Sequence, residues 1–124
     1  MTSLIIAFCG ALGALSRYEL SLWISNHWKS PFPLPTFIIN ISGAFLLGFL
    51  NILFIEKLQL SPQWRLGIGV GFLGAFTTFS TFGYEVFTLM EKGHYSTALS
   101  YVILSILVGF GGVSLGVVFA RKLF

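Results

Sequence analysis

Four long stretches hold nearly all the apolar side chains of this 124-residue chain, and short polar segments separate them. The first runs from Leu4 to Ile24, the second from Thr36 to Ile55, the third from Leu66 to Met90 and the fourth from Thr97 to Phe119. Each is long enough to cross the hydrocarbon core as a helix, and together they nearly exhaust the chain. The pattern therefore predicts an all-α membrane protein, one four-helix transmembrane domain over residues 1–124, with nothing left for a soluble domain. The connections HWKSPFPLP, EKLQLSPQWR and EKGHYS carry the Pro, Gly, Ser and charge that mark turns, and Pro35 suits the first turn of the second helix. A cleaved signal peptide is not expected, because the amino end lacks a basic lead-in and a cleavage pattern.

The third stretch departs from the oily pattern where a membrane helix should keep to it most closely. GVGFLGAFTTFSTFGYEVF, from Gly69 to Phe87, sets Thr77, Thr78, Ser80, Thr81 and Glu85 at membrane depth. Lipid cannot satisfy stray hydroxyls or freed backbone groups, so such an interruption must be buried in protein or line a wet path. Gly74 followed by β-branched Thr77 and Thr78 can host a local unwinding, and the released carbonyls are natural ligands for a hard monovalent cation. Phe76, Phe79 and Phe82 form a stripe at spacings of three. Spacing alone favours packing for that stripe, although ring edges carry the positive part of the aromatic quadrupole and can face an anion.

Composition agrees with the pattern. The chain is 56% hydrophobic and only 9% charged, with mean hydropathy +0.90. Its net charge of +3 rests on a few residues and points to neither nucleic acid nor an acidic partner. With four spans both termini share a side, which collects Lys57, Arg65, Arg121 and Lys122. The other side has Lys29 and Lys92, and Arg17 if it snorkels there. That balance leaves single and dual insertion both open. Gly67 with Gly71, Ala44 with Gly48 and Gly112 with Gly116 sit at the spacing that lets helices approach closely, so oligomerisation is expected, and with only four helices packing inside the chain is expected beside it. Cys9, alone in an apolar run, reads as a small packing residue.

The other polar positions can be weighed singly. Asn40, near the start of the second span, offers donors and an acceptor that lipid would leave unmet, and a functional role is favoured over a purely interhelical bond. Asn51 lies nearer the interface and reads as a packing or hydrated residue. Tyr101 and Ser105 are four apart on the fourth span, hence on one face. Arg17 could snorkel or charge a vestibule. Glu85 reads equally as a water-facing, a helix-paired or an ion-binding carboxylate.

GFLGAFTTFSTFGYE closely resembles the GFxGGxTTFSTFSxE signature of the Fluc fluoride channels, also called the CrcB family. The resemblance continues through GALGALSRY in the first span and IINISGAFLLG in the second, and it covers all four spans in order. Ala75 stands where the family usually has a second Gly, Gly83 where it usually has Ser, and PTFIIN where it more often has GTLxxN. None of these touches the Phe, Thr or Asn positions.

The resemblance implies a channel rather than an enzyme, with no catalytic residues. It implies a dual-topology homodimer of two antiparallel chains in the lipid bilayer, each with a broken third helix, forming a double-barrelled pore for fluoride ion. A structural sodium ion at the dimer centre would be held by backbone carbonyls of Gly74 and Thr77. The paired rings would be Phe79 and Phe82, the donor above them Asn40, and the polar track Ser80, Thr81, Tyr101 and Ser105, with Arg17 at the vestibule. Fluoride is small and strongly hydrated, so donors such as Asn40 and Thr81 and the ring edges would have to replace its water. Passive export of cytoplasmic fluoride across a bacterial inner membrane is implied by the resemblance, as is selectivity over chloride. A small multidrug-type exporter is the runner-up, but it needs a mid-span carboxylate on the first helix, and Glu19 lies near the end of that helix. A non-conducting assembly subunit would explain the Gly pairs but not the Thr and Phe run.

Overall fold

The computed structural model describes residues 1–124, and every regular element in it is helical. Four spans, Thr2–His27, Leu34–Lys57, Pro62–Glu91 and Tyr95–Leu123, are long and apolar enough to cross a membrane. Each begins before and ends beyond its apolar window. At the interface a helix still satisfies its own N–H and C=O groups, so polar end residues such as Arg121 and Lys122 stay helical rather than unwinding into a poorly hydrated layer. Pro35 sits in the first turn of the second span, where its missing N–H costs nothing. Gly93 takes φ +83° in the turn between the third and fourth spans, a conformation that suits glycine.

Only 17 of the 124 residues are buried, and large side chains such as Phe8, Trp23, Leu107 and Phe110 stand exposed. A water-soluble domain cannot leave that much apolar surface wet, so lipid or another protein surface covers it.

Two pairs of spans pack backbone against backbone. A Cβ added at Gly48 would run into the Val113 carbonyl, and one at Gly116 into the Phe45 carbonyl and within 2.8 Å of the Phe49 nitrogen. These contacts hold the second span along the fourth. The first span packs on the first half of the third in the same way: a Cβ at Gly13 would strike the Phe72 carbonyl, and one at Gly71 would lie 2.7 Å from the Ile6 carbonyl. The Gly67/Gly71 and Gly112/Gly116 pairs are thus filled by the chain's own helices, as is Gly48 beside Ala44. Packing inside the chain, one of the two expected uses, is what these glycines serve here. Spacing identifies a close-approach face but not the partner, and four helices in one chain supply partners enough.

The third span is not uniform. Pro62–Leu66 is α-helical and Gly67–Leu73 widens to π geometry; Gly74–Phe76 makes a last α turn. Thr77 (φ −84°, ψ 159°) and Thr78 (φ −151°, ψ 123°) are extended, and helix resumes at Phe79–Glu91. β-Branching disfavours the helix at both residues, and Thr78 caps the resumed helix by accepting the Thr81 N–H at 3.3 Å. Phe76 anchors the near side. It is buried, packs with Ile39 and Leu73, and stacks on Phe72 at 5.9 Å between ring centroids.

Gly116→Ala should lower the thermal unfolding midpoint in detergent, because parting two backbones to admit a methyl group costs about 1–3 kcal/mol. Gly83→Ala places its methyl group in open space, and should leave stability level or raised by about 0.5–1 kcal/mol, the usual gain for alanine in a helix. Equal midpoints for Gly116→Ala and the parent would refute the direct backbone contact between the second and fourth spans.

Candidate functional site

Two extended residues at membrane depth free backbone groups, and the chain partners several of them with side chains from other spans. The Thr78 N–H donates to Asn40 Oδ1 at 2.8 Å, and Asn40 Nδ2 donates back to the Thr78 carbonyl at 3.0 Å. One primary amide therefore replaces both bonds a helix would have given Thr78. Arg17 Nε donates to the Ala75 carbonyl at 3.0 Å, across 58 positions of sequence. The Thr77 hydroxyl and N–H both turn to the Leu73 carbonyl, at 2.9 and 3.0 Å.

The unpartnered groups are as informative. The Thr78 N–H that would close a helical turn on the Gly74 carbonyl goes to Asn40, and the Thr81 N–H that would close on the Thr77 carbonyl goes to the Thr78 hydroxyl. Gly74 and Thr77 thus present carbonyl oxygens without the donors a continuous helix supplies, and Gly74 is exposed.

Thr78 borders two cavities. One of about 500 Å³ is bordered by Asn40, Gly74, Thr77, Thr78, Phe79 and Phe110. Another of about 220 Å³ is bordered by Arg17, Tyr18, Thr36, Thr78 and Thr81. Phe79 is 82% exposed, so a single chain leaves most of it uncovered. Phe82 leans on it at 5.9 Å and meets Tyr101 edge-on at 4.9 Å. Of the predicted Phe stripe, then, Phe76 belongs to the core, Phe82 is half-buried against the cluster of Leu89, Ala98 and Tyr101, and Phe79 stands exposed.

Tyr101 is fully buried, and its hydroxyl donates to Glu85 Oε1 at 2.8 Å. Thr36 Oγ1 donates to Glu85 Oε2 at 2.9 Å, so the carboxylate is helix-paired, one of the readings left open from sequence. Glu85 also borders a cavity of about 460 Å³ that opens between Lys29 and Lys92. Ser80 is exposed and Ser105 half-buried one turn beyond Tyr101; neither borders the two cavities at Thr78.

The geometry thus joins Asn40, Phe79, Gly74 and Thr77 around one cavity, puts Thr81 with Arg17 in another, and ties Tyr101 to Phe82. Three contributors escape a reading of the sequence. Thr36 reads there only as a helix start. Phe110 draws no notice, although its place between Gly109 and Gly111 leaves its ring uncrowded and is a usable signal. The Arg17 contact to Ala75 carries no local signature. Chemically, the site offers N–H and O–H donors, ring edges and free carbonyl oxygens, with no cluster of carboxylate, His or Cys that could hold a metal.

Residues 4–117 match the family described as "CrcB-like protein, Camphor Resistance (CrcB)". The chain is 43% identical over 121 residues to a protein of Saccharophagus degradans, covering 97% of this chain and 90% of that one. It is 42% identical over 123 residues to one of Acidobacterium capsulatum, covering 99% and 98%. Both relatives are named "Fluoride-specific ion channel FluC". A Listeria innocua protein named "Fluoride-specific ion channel FluC 1" is 44% identical over 118 residues, covering 92% and 96%.

Asn40→Ala strands the N–H and C=O of Thr78, and each buried group left without a partner costs about 1–3 kcal/mol, so the unfolding midpoint in detergent should fall clearly. Asn51→Ala, an exposed change with no hydrogen bond to lose, should stay within about 0.5 kcal/mol. Matching midpoints for the two variants would mean that the Asn40 amide does not hold the extended residues.

Proposed function

Since this chain belongs to the CrcB-like family, we propose that it is a passive, fluoride-selective channel through which fluoride leaves the cytoplasm across the bacterial inner membrane. The near-full-length kinship with relatives named fluoride-specific channels carries the reading. It is supported by the coincidence of the extended Thr77 and Thr78 with donors, rings and cavities. The family is one of channels and not of enzymes, and the exporter and assembly readings lose their footing with it.

Fluoride holds its water tightly, so a path must offer replacements at each step. In the proposed path the ion passes the edges of Phe79 and Phe82, with Asn40 above them and Ser80, Thr81, Tyr101 and Ser105 as the polar track. Asn40 has committed one Nδ2 hydrogen and its oxygen to Thr78, which leaves its second hydrogen for the ion. Arg17 has committed Nε to Ala75, and its terminal nitrogens remain for the cavity it shares with Thr81. That is the vestibule role.

Two chains inserted antiparallel would complete the pore as a double-barrelled homodimer. The exposed Phe79 ring and the open side of the central cavity favour a second copy over lipid, because lipid would leave the second Asn40 amide hydrogen and the Gly74 and Thr77 carbonyls unpartnered. A structural sodium ion would be held by the Gly74 and Thr77 carbonyls of both chains. The donor set fits: carbonyl oxygens released from helical bonds are hard ligands suited to a hard cation. Bound there, sodium would supply a fixed positive charge near the anion path.

Phe79→Ile and Phe82→Ile keep an apolar side chain but remove the ring edge. Each should cut fluoride efflux from proteoliposomes by at least about tenfold, a loss of roughly 1.4 kcal/mol of favourable ring contact, with dimer size unchanged. Parent-like efflux in both variants would return the rings to packing. Reporter tags on the carboxyl terminus should be reached from both sides of the membrane in comparable amounts, given the balanced Lys and Arg. Labelling from one side alone would exclude the antiparallel dimer.

A further inference from the structure

At the end of the molecule that holds both termini, Arg65 borders a cavity of about 540 Å³ together with Asn51, Ile55, Pro62 and Leu66. Its Nε is buried and has no hydrogen-bond partner, the only such side-chain atom in the chain. A buried guanidinium N–H without an acceptor is costly, and the rest of this half-buried guanidinium, which makes no hydrogen bond either, borders the cavity with its charge unmet. The acid that could neutralise it at this end, Glu56, is already engaged by Arg121 at 2.9 Å. Asn51, on the second span, faces the same cavity with an exposed amide that makes no hydrogen bond. The cavity therefore offers one uncompensated positive charge and a free amide donor, and no carboxylate borders it.

This cavity does not stand alone. Leu47 and Gly69 border both it and the central cavity of Asn40, Thr78 and Phe79. Gly69 has open space around the position a Cβ would take, so nothing from the chain narrows the passage there. A species held between Arg65 and Asn51 lies at the mouth of the groove that leads to the extended residues.

We infer that Arg65 and Asn51 form an anion-binding station at the termini-side mouth of the groove, which takes a small hydrated monovalent anion from water and passes it inward. The inference rests on the channel reading for the inward step, but not for the binding itself. Arg65 supplies the positive field through its guanidinium, and the exposed Asn51 amide supplies a donor to replace water. A lipid phosphate is the other source of negative charge at this depth. It would have to leave the headgroup layer and enter a cavity whose remaining walls are Leu, Ile, Pro, Gly and Val. The water-borne ion is favoured.

The test compares the parent with Arg65→Gln, Arg65→Lys and Asn51→Ala in the full-length reconstituted protein, reading fluoride binding by fluorine NMR and initial efflux against fluoride concentration. Arg65→Gln should raise the half-saturating fluoride concentration about tenfold and Asn51→Ala about threefold, with maximal efflux nearly unchanged, as expected for loss of a charge that concentrates ions. Arg65→Lys should fall between, because the charge remains but the planar guanidinium that borders the cavity is replaced by a compact, more strongly hydrated ammonium. Parent-like half-saturation in Arg65→Gln overturns the inference. Should that variant not fold, Arg65→Lys and Asn51→Ala decide it in the same sense. If the parent shows no efflux at all, the channel reading fails separately: saturable fluoride binding that Arg65→Gln loses still supports the station, and its absence overturns it. An Arg65→Gln deficit that appears only in vesicles containing anionic lipid, and vanishes in zwitterionic ones, identifies a headgroup anchor instead and also overturns the inference.

Discussion

The two hydrogen bonds between the Asn40 amide and the backbone of Thr78 are the contacts on which the centre of this molecule depends. A helix that opens within a membrane loses bonds that lipid cannot replace, each at a cost of about 1–3 kcal/mol when left unmade. Asn40 meets both groups of one extended residue. Arg17 takes the Ala75 carbonyl, the Thr78 hydroxyl takes the Thr81 N–H, and the Thr77 hydroxyl doubles back to Leu73. These partners come from the first, second and third spans, so the opening exists only while the bundle holds them at hydrogen-bonding distance.

The glycine contacts make that possible. Gly13 against Phe72 sets the depth of the first span beside the third, which places Arg17 near Ala75, one helical turn further along. Gly48 and Gly116 lock the second span to the fourth, so the span that carries Asn40 cannot drift away from the interruption. Packing at one level thus fixes polar geometry at another. The Thr36–Glu85–Tyr101 network plays the same part on the other side of the interruption, joining the second, third and fourth spans through one carboxylate. Tyr101 is wholly buried there while its ring supports Phe82, so the orientation of a half-buried ring is set by a hydroxyl bond on the far side of its neighbour.

Much of this architecture is legible in the sequence, and the rest is hidden for a common cause. The spans are readable from apolar windows, because length and hydropathy report directly on a bilayer; only their ends shift, since helices run on through polar interface residues. The interruption is legible too, for Thr and Ser in a row at membrane depth have few physical excuses. Asn40 stands out as an unmet amide, yet its partner, 38 positions away, cannot be named from sequence. Arg17 with Ala75 and Thr36 with Glu85 are invisible for the same reason: long-range pairs depend on which helices touch. The Gly pairs show the converse, since their spacing reveals a close-approach face but leaves the choice between a second copy and a helix of the same chain to the fold.

Fluoride efflux from proteoliposomes loaded with fluoride and monitored by a fluoride electrode is the most direct measurement of the central claim, that the opening in the third span is an anion path. With a potassium ionophore to balance charge, the predicted result is rapid release of fluoride down its gradient, with no proton or sodium gradient required, and no matching release of chloride. Fluoride retained as long as in protein-free vesicles would contradict it.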